Sequence, residues 1–356
     1  MNEGPLAGLR VIELAGLGPC PLAGQLLADL GADVVVIDRE AGSADPTDVN
    51  RRGKRSVVLD LKSERGREAT LRLAERSDAL IEGFRPGVME RFGLGPEDVA
   101  RRAPRLVYGR MTGWGQEGPL AHTAGHDIGY LALTGALHAM GPPDRPRAPI
   151  NLAADYAGGT MFLVLGLLAA LWERQSSGRG QTIDAAMVDG VPALMGLTHT
   201  MLARGQWREE REANLLDGGA PFYRTYECLD GRFVAVGPLE PQFFGALAQE
   251  LGIDWPQYDA TAWPDHHKRM EAIFRTRTRD EWARAFEGTD ACVAPVLSMR
   301  EAPDHPHMRA RETFVAPGDV LQAAPAPRFD RTPAPAPRPP CAPGADTDDV
   351  LRELGL

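Results

Sequence analysis

Residues 9–38, LRVIELAGLGPCPLAGQLLADLGADVVVID, carry the reading on which the fold turns. LRVIELA is an apolar strand, GLGPCP a loop, LAGQLLADLGA has helical periodicity, and DVVVID (33–38) is a second strand. Further strands are expected at SVVLDLK (56–62), DALIEGF and RLVYGRM, with a charged amphipathic helix, SERGREATLRLAERS, over 63–77. Strands with near-continuous apolar cores that alternate with helices predict an α/β fold, its parallel sheet covered on both faces.

Downstream the pattern changes. From about 126 to 175 it is helical, with HDIGYLALTGALHAM read as one helix from 126 to 140. The apolar run MFLVLGLLAALW (161–172) is too short to span a bilayer and reads as a buried helix. GQTIDAAMVDG (180–190) adds a strand and a helix start, and VPALMGLTHTMLARG a long helical stretch. A second unit is expected from about 226, where YECLDGRFVAVG forms a hairpin around Asp230-Gly231. Two helices follow (PQFFGALAQELG and TRDEWARAFEG), then the strand CVAPVL, an extended Pro/Ala-rich segment at 323–344, and a closing helix in TDDVLRELGL.

A chain of 356 residues suits one large domain and a smaller one. The net charge of −10 argues against nucleic-acid binding, so a polyanionic ligand would need a local basic cluster. Cys20, Cys228, Cys292 and Cys341 have neither disulfide-framework nor zinc-site spacing and suit a reducing cytoplasm. The first residues show no secretory signal pattern.

Several residues could carry chemistry. Gly16-x-Gly18 with Asp38 imitates a dinucleotide-binding fingerprint, but Pro21 replaces its third glycine; the alternative is a turn shaping a pocket mouth. Arg39, Arg51, Arg52, Lys54, Arg55, Lys62, Arg85 and Arg91 all lie in the first α/β stretch, where they could gather on one sheet edge and hold phosphates, or could form a solvated face. His126 and Asp127 are adjacent, so on a helix they diverge by about 100° and make a poor dyad. Asp127 would sit in the first turn, beside amides able to receive an oxyanion. Asp155 opens the apolar helix as a tuned acid–base group or as an N-cap. Glu240 begins a later helix, either orienting an imidazole or serving as a first-turn carboxylate.

Taken together, GPLAGLRVIELAGLGPCPLAGQLLADLGADVVVIDR, LIEGFRPGVMERFGLGP, RMTGWGQEGPLAHTAGHDIGY, ALWERQSSGRGQTIDAAMVDG, NLLDGGAPFYRTYECLDGRFVAVGPLEPQFF, DACVAPVL and APRFDRTPA resemble the family III CoA-transferase superfamily, and within it the α-methylacyl-CoA racemases. The resemblance implies a Rossmann-like large CoA-binding domain, a small α+β domain and an interlocked homodimer. The large domain would take 1–185, completed by 315–356, with a linker at 186–225 and the small domain at 226–314. CoA phosphates would lie near Arg39, Lys62, Arg85 and Arg91, with Gly83 and Phe84 lining the same groove.

The family divides by chemistry. Its transferases use an aspartate matching Asp155 as nucleophile and usually lack a histidine at the position of His126. Its racemases have that histidine, use the aspartate for acid–base work, and carry a glutamate matching Glu240. All three are present here, which implies proton transfer at the α-carbon of a 2-methylacyl-CoA, with enolate stabilisation at Asp127. CoA transfer through Asp155 is the alternative. Leu17, Met111 and Met187 are expected in the acyl pocket. No metal or redox cofactor is expected, CoA being part of the substrate. Gly129 departs from the asparagine frequent in these racemases, which affects a local hydrogen bond or the pocket shape. The expected location is cytoplasmic, with no nucleic acid and no membrane span.

Overall fold

The computed structural model describes residues 3–356. They fall into two compact units. The larger takes the described chain up to Thr134, Pro149–Leu194 and His307–Leu356; the smaller takes Gly135–Ala148 and Met195–Pro306. Of the segment expected as a linker, residues 186–194 therefore pack in the larger unit and 195–225 in the smaller one. Residues 135–148 join the smaller unit because Arg211 ties them to it, donating to the carbonyls of His138, Pro142 and Pro143.

In the larger unit, β1 (Arg10–Leu14), β2 (Asp33–Asp38), β3 (Arg55–Val58), β4 (Ala79–Glu82), β5 (Val107–Thr112) and β6 (Thr182–Ala186) form one parallel sheet. Its order is β3-β2-β1-β4-β5-β6. Val11, Ile12, Val34, Val35, Val36, Leu80 and Ile81 are at most 1 % exposed, as a sheet covered on both faces requires. The strand order reverses between β1 and β4, and the carboxyl ends of those two strands open a crevice there.

Helix α1 (Pro19–Asp29) begins on a proline, whose preset φ and missing N–H suit a first turn. Ser63 caps α2 (Glu64–Glu75) by accepting from the Gly66 amide at 2.9 Å. Two short helices follow, α3 (Val88–Arg91) and α4 (Pro96–Arg102). The helix expected over 126–140 is only α5 (Asp127–Leu133): Gly135 turns left-handed at φ 81°, and a single 3-10 turn follows.

Residues Leu152–Thr160 form a π-helix that runs straight into α6 (Met161–Ser177). The combined Leu152–Ser177 stretch is 26 residues, long and apolar enough by length and composition to cross a membrane. The expectation of a buried helix holds for one face only. Leu163, Leu167, Ala170 and Leu171 are buried against the sheet, whereas Met161, Leu165, Leu168 and Trp172 are 52, 62, 37 and 74 % exposed. Helix α7 (Met187–Leu194) crosses the π-helix so closely that a Cβ on Gly190 would fall on the Gly158 carbonyl oxygen.

The basic run at 51–55 is structural, which corrects its reading as phosphate-binding. Arg51 makes a two-pronged pair with Asp38 at 3.1 and 2.6 Å, and Arg52 a similar one with Asp29 at 2.9 and 2.6 Å. Lys54 is bound to Glu13 at 2.6 Å and to the Pro21 carbonyl, while Arg55 pairs with Asp33 and Glu353. Buried cations need such partners, because an uncompensated charge is costly away from water. Asp38 also accepts from Ser56, so the acid of the apparent dinucleotide fingerprint is already engaged.

The smaller unit contains α8 (Gly196–Ala203), separated from α7 by a break at Met195. Strands β7 (Arg224–Glu227) and β8 (Phe233–Val236) form the expected hairpin, extended by β9 (Val293–Pro295). Around them α9 (Pro241–Leu251), α10 (Trp263–Phe274) and α11 (Arg279–Ala285) enclose a core of Phe222, Tyr226, Phe274 and Trp282. The C-terminal segment belongs to the larger unit, where Val350 and Leu354 of the last helix join the core beside β3.

Candidate active site

Two cavities open at the carboxyl ends of the strands in the larger unit. One, of about 600 Å³, has an apolar wall of Ile37, Leu59, Val88 and Phe92, with Arg39 and Lys62 at its edge. The second, of about 270 Å³, lies among the loops after β4 and β5 and is lined by Gly83, Arg85, Gly113, Trp114, His126 and Tyr130. Phe84 lines both, so the two cavities adjoin at its ring, and together they are the cleft at this end of the sheet. Arg91 is exposed on α3 and lines neither cavity. Among the described residues no ion pair engages Lys62, Arg85 or Arg91, and Arg39 has only a loose 3.7 Å contact with Glu40. These cations are the ones available to a phosphate.

His126 is the residue before α5, in extended backbone with an exposed side chain facing the second cavity. Tyr130 follows one turn later on the same helix face and lies edge-on to Trp114, with centroids 4.8 Å apart. Gly113 must lack a side chain, since a Cβ there would overlap the Tyr130 ring. Burial, and then the Asp155 charge, push the Tyr130 phenol up, while Arg85 pulls it down. Tyr130 thus stands in the fields of both Asp155 and Arg85.

Asp155 lies in the first turn of the π-helix, half-buried, with Asn151 Nδ2 3.5 Å from its Oδ2. Burial, and then the Asp127 charge, raise it above the ordinary carboxylate range; the Asn151 bond and the nearby His126 act in the opposite direction. A π-helical turn at such a position is a common mark of a functional site. It is held in place by Thr160, whose hydroxyl donates to the Pro19 carbonyl at 2.9 Å.

Asp127 does not attend to its own helix. Its side chain turns inward, 6 % exposed, and Oδ2 accepts the amides of Ala154 and Asp155 at 2.9 and 2.8 Å. His126 and Asp127 therefore diverge as expected, one into the cleft and the other into the protein. At position 129 a Cβ would meet nothing within 4 Å, so the glycine there alters no packing.

The residues expected in an acyl pocket are placed otherwise. Leu17 stands 95 % exposed, and Met111 and Met187 are 2 and 5 % exposed. The two methionines back Gly159 from the interior, at 3.4 and 3.1 Å from where its Cβ would be, and none of the three lines either cavity. Glu240 precedes α9 in the smaller unit, exposed, with its side chain making no cap hydrogen bond. Asn151 and Tyr130 were not singled out from the sequence. Each lies four residues from a flagged group, Asp155 and His126, and that spacing on a helix was the available signal.

Comparison with known proteins agrees with this geometry. The sequence model described as CoA-transferase family III matches residues 6–347. The chain is 44 % identical to the alpha-methylacyl-CoA racemases of Mus musculus and Homo sapiens, over 99 % of its length and 93 and 94 % of theirs. An acetyl-CoA:oxalate CoA-transferase of Acetobacter aceti is 31 % identical, over 90 % of this chain and 87 % of that one. Among solved structures, a CAIB/BAIF family protein from Brucella suis superposes with a TM-score of 0.83 at 26 % identity, covering 99 % of this chain and all of that one. A parallel sheet opening at β1 and β4, unengaged cations beside that opening, and a match spanning nearly every residue lead to one assignment: this chain belongs to CoA-transferase family III.

Proposed function

We propose that this protein is an acyl-CoA racemase, inverting the α-methyl stereocentre of 2-methylacyl-CoA thioesters by proton transfer. The 44 % identity to two alpha-methylacyl-CoA racemases supports the activity. The observation that carries the mechanism is the meeting of two helix starts, His126 before α5 and Asp155 in the opening turn of the π-helix, tied together by the Asp127 carboxylate on the Ala154 and Asp155 amides. Either His126 or Asp155 takes the α-proton from one face of the substrate, and the C–H electron pair passes into the thioester as an enolate. The other donates a proton to the opposite face, the enolate collapses, and the pair is left with its protons exchanged. The Asp127 and Ile128 amides at the start of α5 receive the enolate oxygen.

The CoA portion follows the cleft, its phosphates met by Arg39, Lys62, Arg85 and Arg91. Only a proton moves, so the chemistry calls for neither a metal nor a redox cofactor. The partner of the exposed α6 stripe is a second copy of the chain, in an interlocked dimer. Free Cys20, Cys228, Cys292 and Cys341 suit a cytoplasmic protein.

Incubation with a single enantiomer of a 2-methylacyl-CoA in heavy water tests the activity. Deuterium should enter the α-carbon without an acceptor acid, and His126→Ala and Asp155→Ala should each lose this exchange. Unimpaired exchange in both variants would overturn the two-base scheme. Acyl transfer to a free acid, with a trappable covalent intermediate on Asp155, would show a CoA-transferase instead.

A further inference from the structure

The carboxylate of Asp127 lies beside the acid–base machinery without facing the cleft. It reaches from the start of α5 to the π-helix and binds the amides of Ala154 and Asp155 through Oδ2. These amides lie in the opening turn of the π-helix, where N–H groups lack intrahelical acceptors. The second oxygen, Oδ1, is buried with no hydrogen-bond partner. A carboxylate serving as an ordinary cap would not need to be buried on one oxygen and unsatisfied on the other, an arrangement that leaves its field little screened.

We infer that Asp127 is the positioning residue of Asp155, fixing its backbone and setting how one proton is shared between Asp155 and His126. This inference rests on the racemase reading and adds to it the group that balances the two bases. A racemase works in both directions only if each base can be found with the proton and without it. A carboxyl far more acidic than the imidazole would leave the proton on His126. A negative charge anchored at the amide of Asp155 itself opposes that imbalance.

The remaining ionisable groups on elements packed against the π-helix are few. They are Cys20 and Asp29 on α1, Tyr130 on α5, Tyr108 and Arg110 on β5, Asp184 on β6 and Asp189 on α7, with Glu173 and Arg174 towards the distal end of α6. Asp29 is paired with Arg52, and the Tyr108 hydroxyl donates to the Leu94 carbonyl. Arg110 is engaged by Glu82 and Glu90, and Asp184 accepts the Gln116 amide. The charges acting on Asp155 are those of Asp127 and His126.

The test is the pH profile of kcat/KM for α-proton exchange in wild type and two variants. Asp127→Asn keeps an oxygen for both amides and removes the charge. Its acid-side limb should move to lower pH, with the alkaline limb in place and kcat within roughly tenfold of wild type. Asp127→Ala removes the anchor as well, and should lower kcat roughly 100-fold with KM for the thioester little changed. If either variant is too unstable to assay, Asp127→Ser should show the same limb displacement. An unmoved acid limb in the Asn variant, or an unchanged kcat in the Ala variant, would overturn the inference while leaving the racemase reading intact. Absence of exchange in the wild type would instead defeat that reading.

Discussion

Arg52 and Lys62 carry the same charge to opposite uses. Arg52 is 2 % exposed and committed to Asp29 and Gln322, whereas Lys62 is exposed at the edge of the larger cavity with no ion-pair partner among the described residues. Replacing Lys62 with alanine should raise KM for a CoA thioester roughly 10- to 100-fold, with kcat and thermal stability nearly unchanged, because a charge-assisted hydrogen bond contributes about 1.5–3 kcal/mol. Replacing Arg52 with methionine should do the reverse. It strands Asp29 in the interior and should cost about 3–5 kcal/mol of stability, read by denaturant titration, without a specific change in KM. Equal effects of the two variants on KM would refute this division of labour.

At the scale of elements, the site is made by the meeting of two helix starts. Helix α5 supplies His126 and Asp127, and the π-helix supplies Asp155, held by Asn151, Asp127 and Thr160. The wider π-helical turn is possible because α7 approaches at Gly190 and Gly158, where no side chain separates the two backbones. Gly190→Ala should therefore force the elements apart. The expected cost is about 1–3 kcal/mol in denaturant titration, the range for overpacking, together with a fall in kcat larger than any change in KM. Unchanged stability and kcat would show that the close approach does not support Asp155.

At the scale of the molecule, the exposed residues of α6 follow a regular pattern. Met161, Leu165, Leu168 and Trp172 recur at alternating intervals of four and three, the spacing of a helix–helix seam. The proposed dimer predicts that Leu165→Glu combined with Trp172→Glu yields a monomer in sedimentation velocity; a monomeric wild type would refute the proposed partner. Much of the architecture was legible in the sequence. Apolar strand runs, a charged amphipathic helix at 63–77 and the Asp230-Gly231 turn are local signals, because propensity and periodicity act between near neighbours. The divergence of His126 and Asp127 was expected from helix geometry, whereas in the structure His126 stands before α5 in extended backbone and Asp127 turns inward from the first turn. What the sequence determined by itself was thus most of the order and type of elements, and the candidates for acid–base chemistry. Only the tertiary structure decided which charges were free. The run at 51–55 reads like a phosphate cradle until Asp38, Asp29, Glu13 and Asp33 arrive from other strands and helices to neutralise it. Asp127 likewise reads as a first-turn carboxylate until residues 154 and 155, far along the chain, present their amides to it. Charge compensation and burial are set by neighbours in space, and those neighbours exist only once the chain has folded.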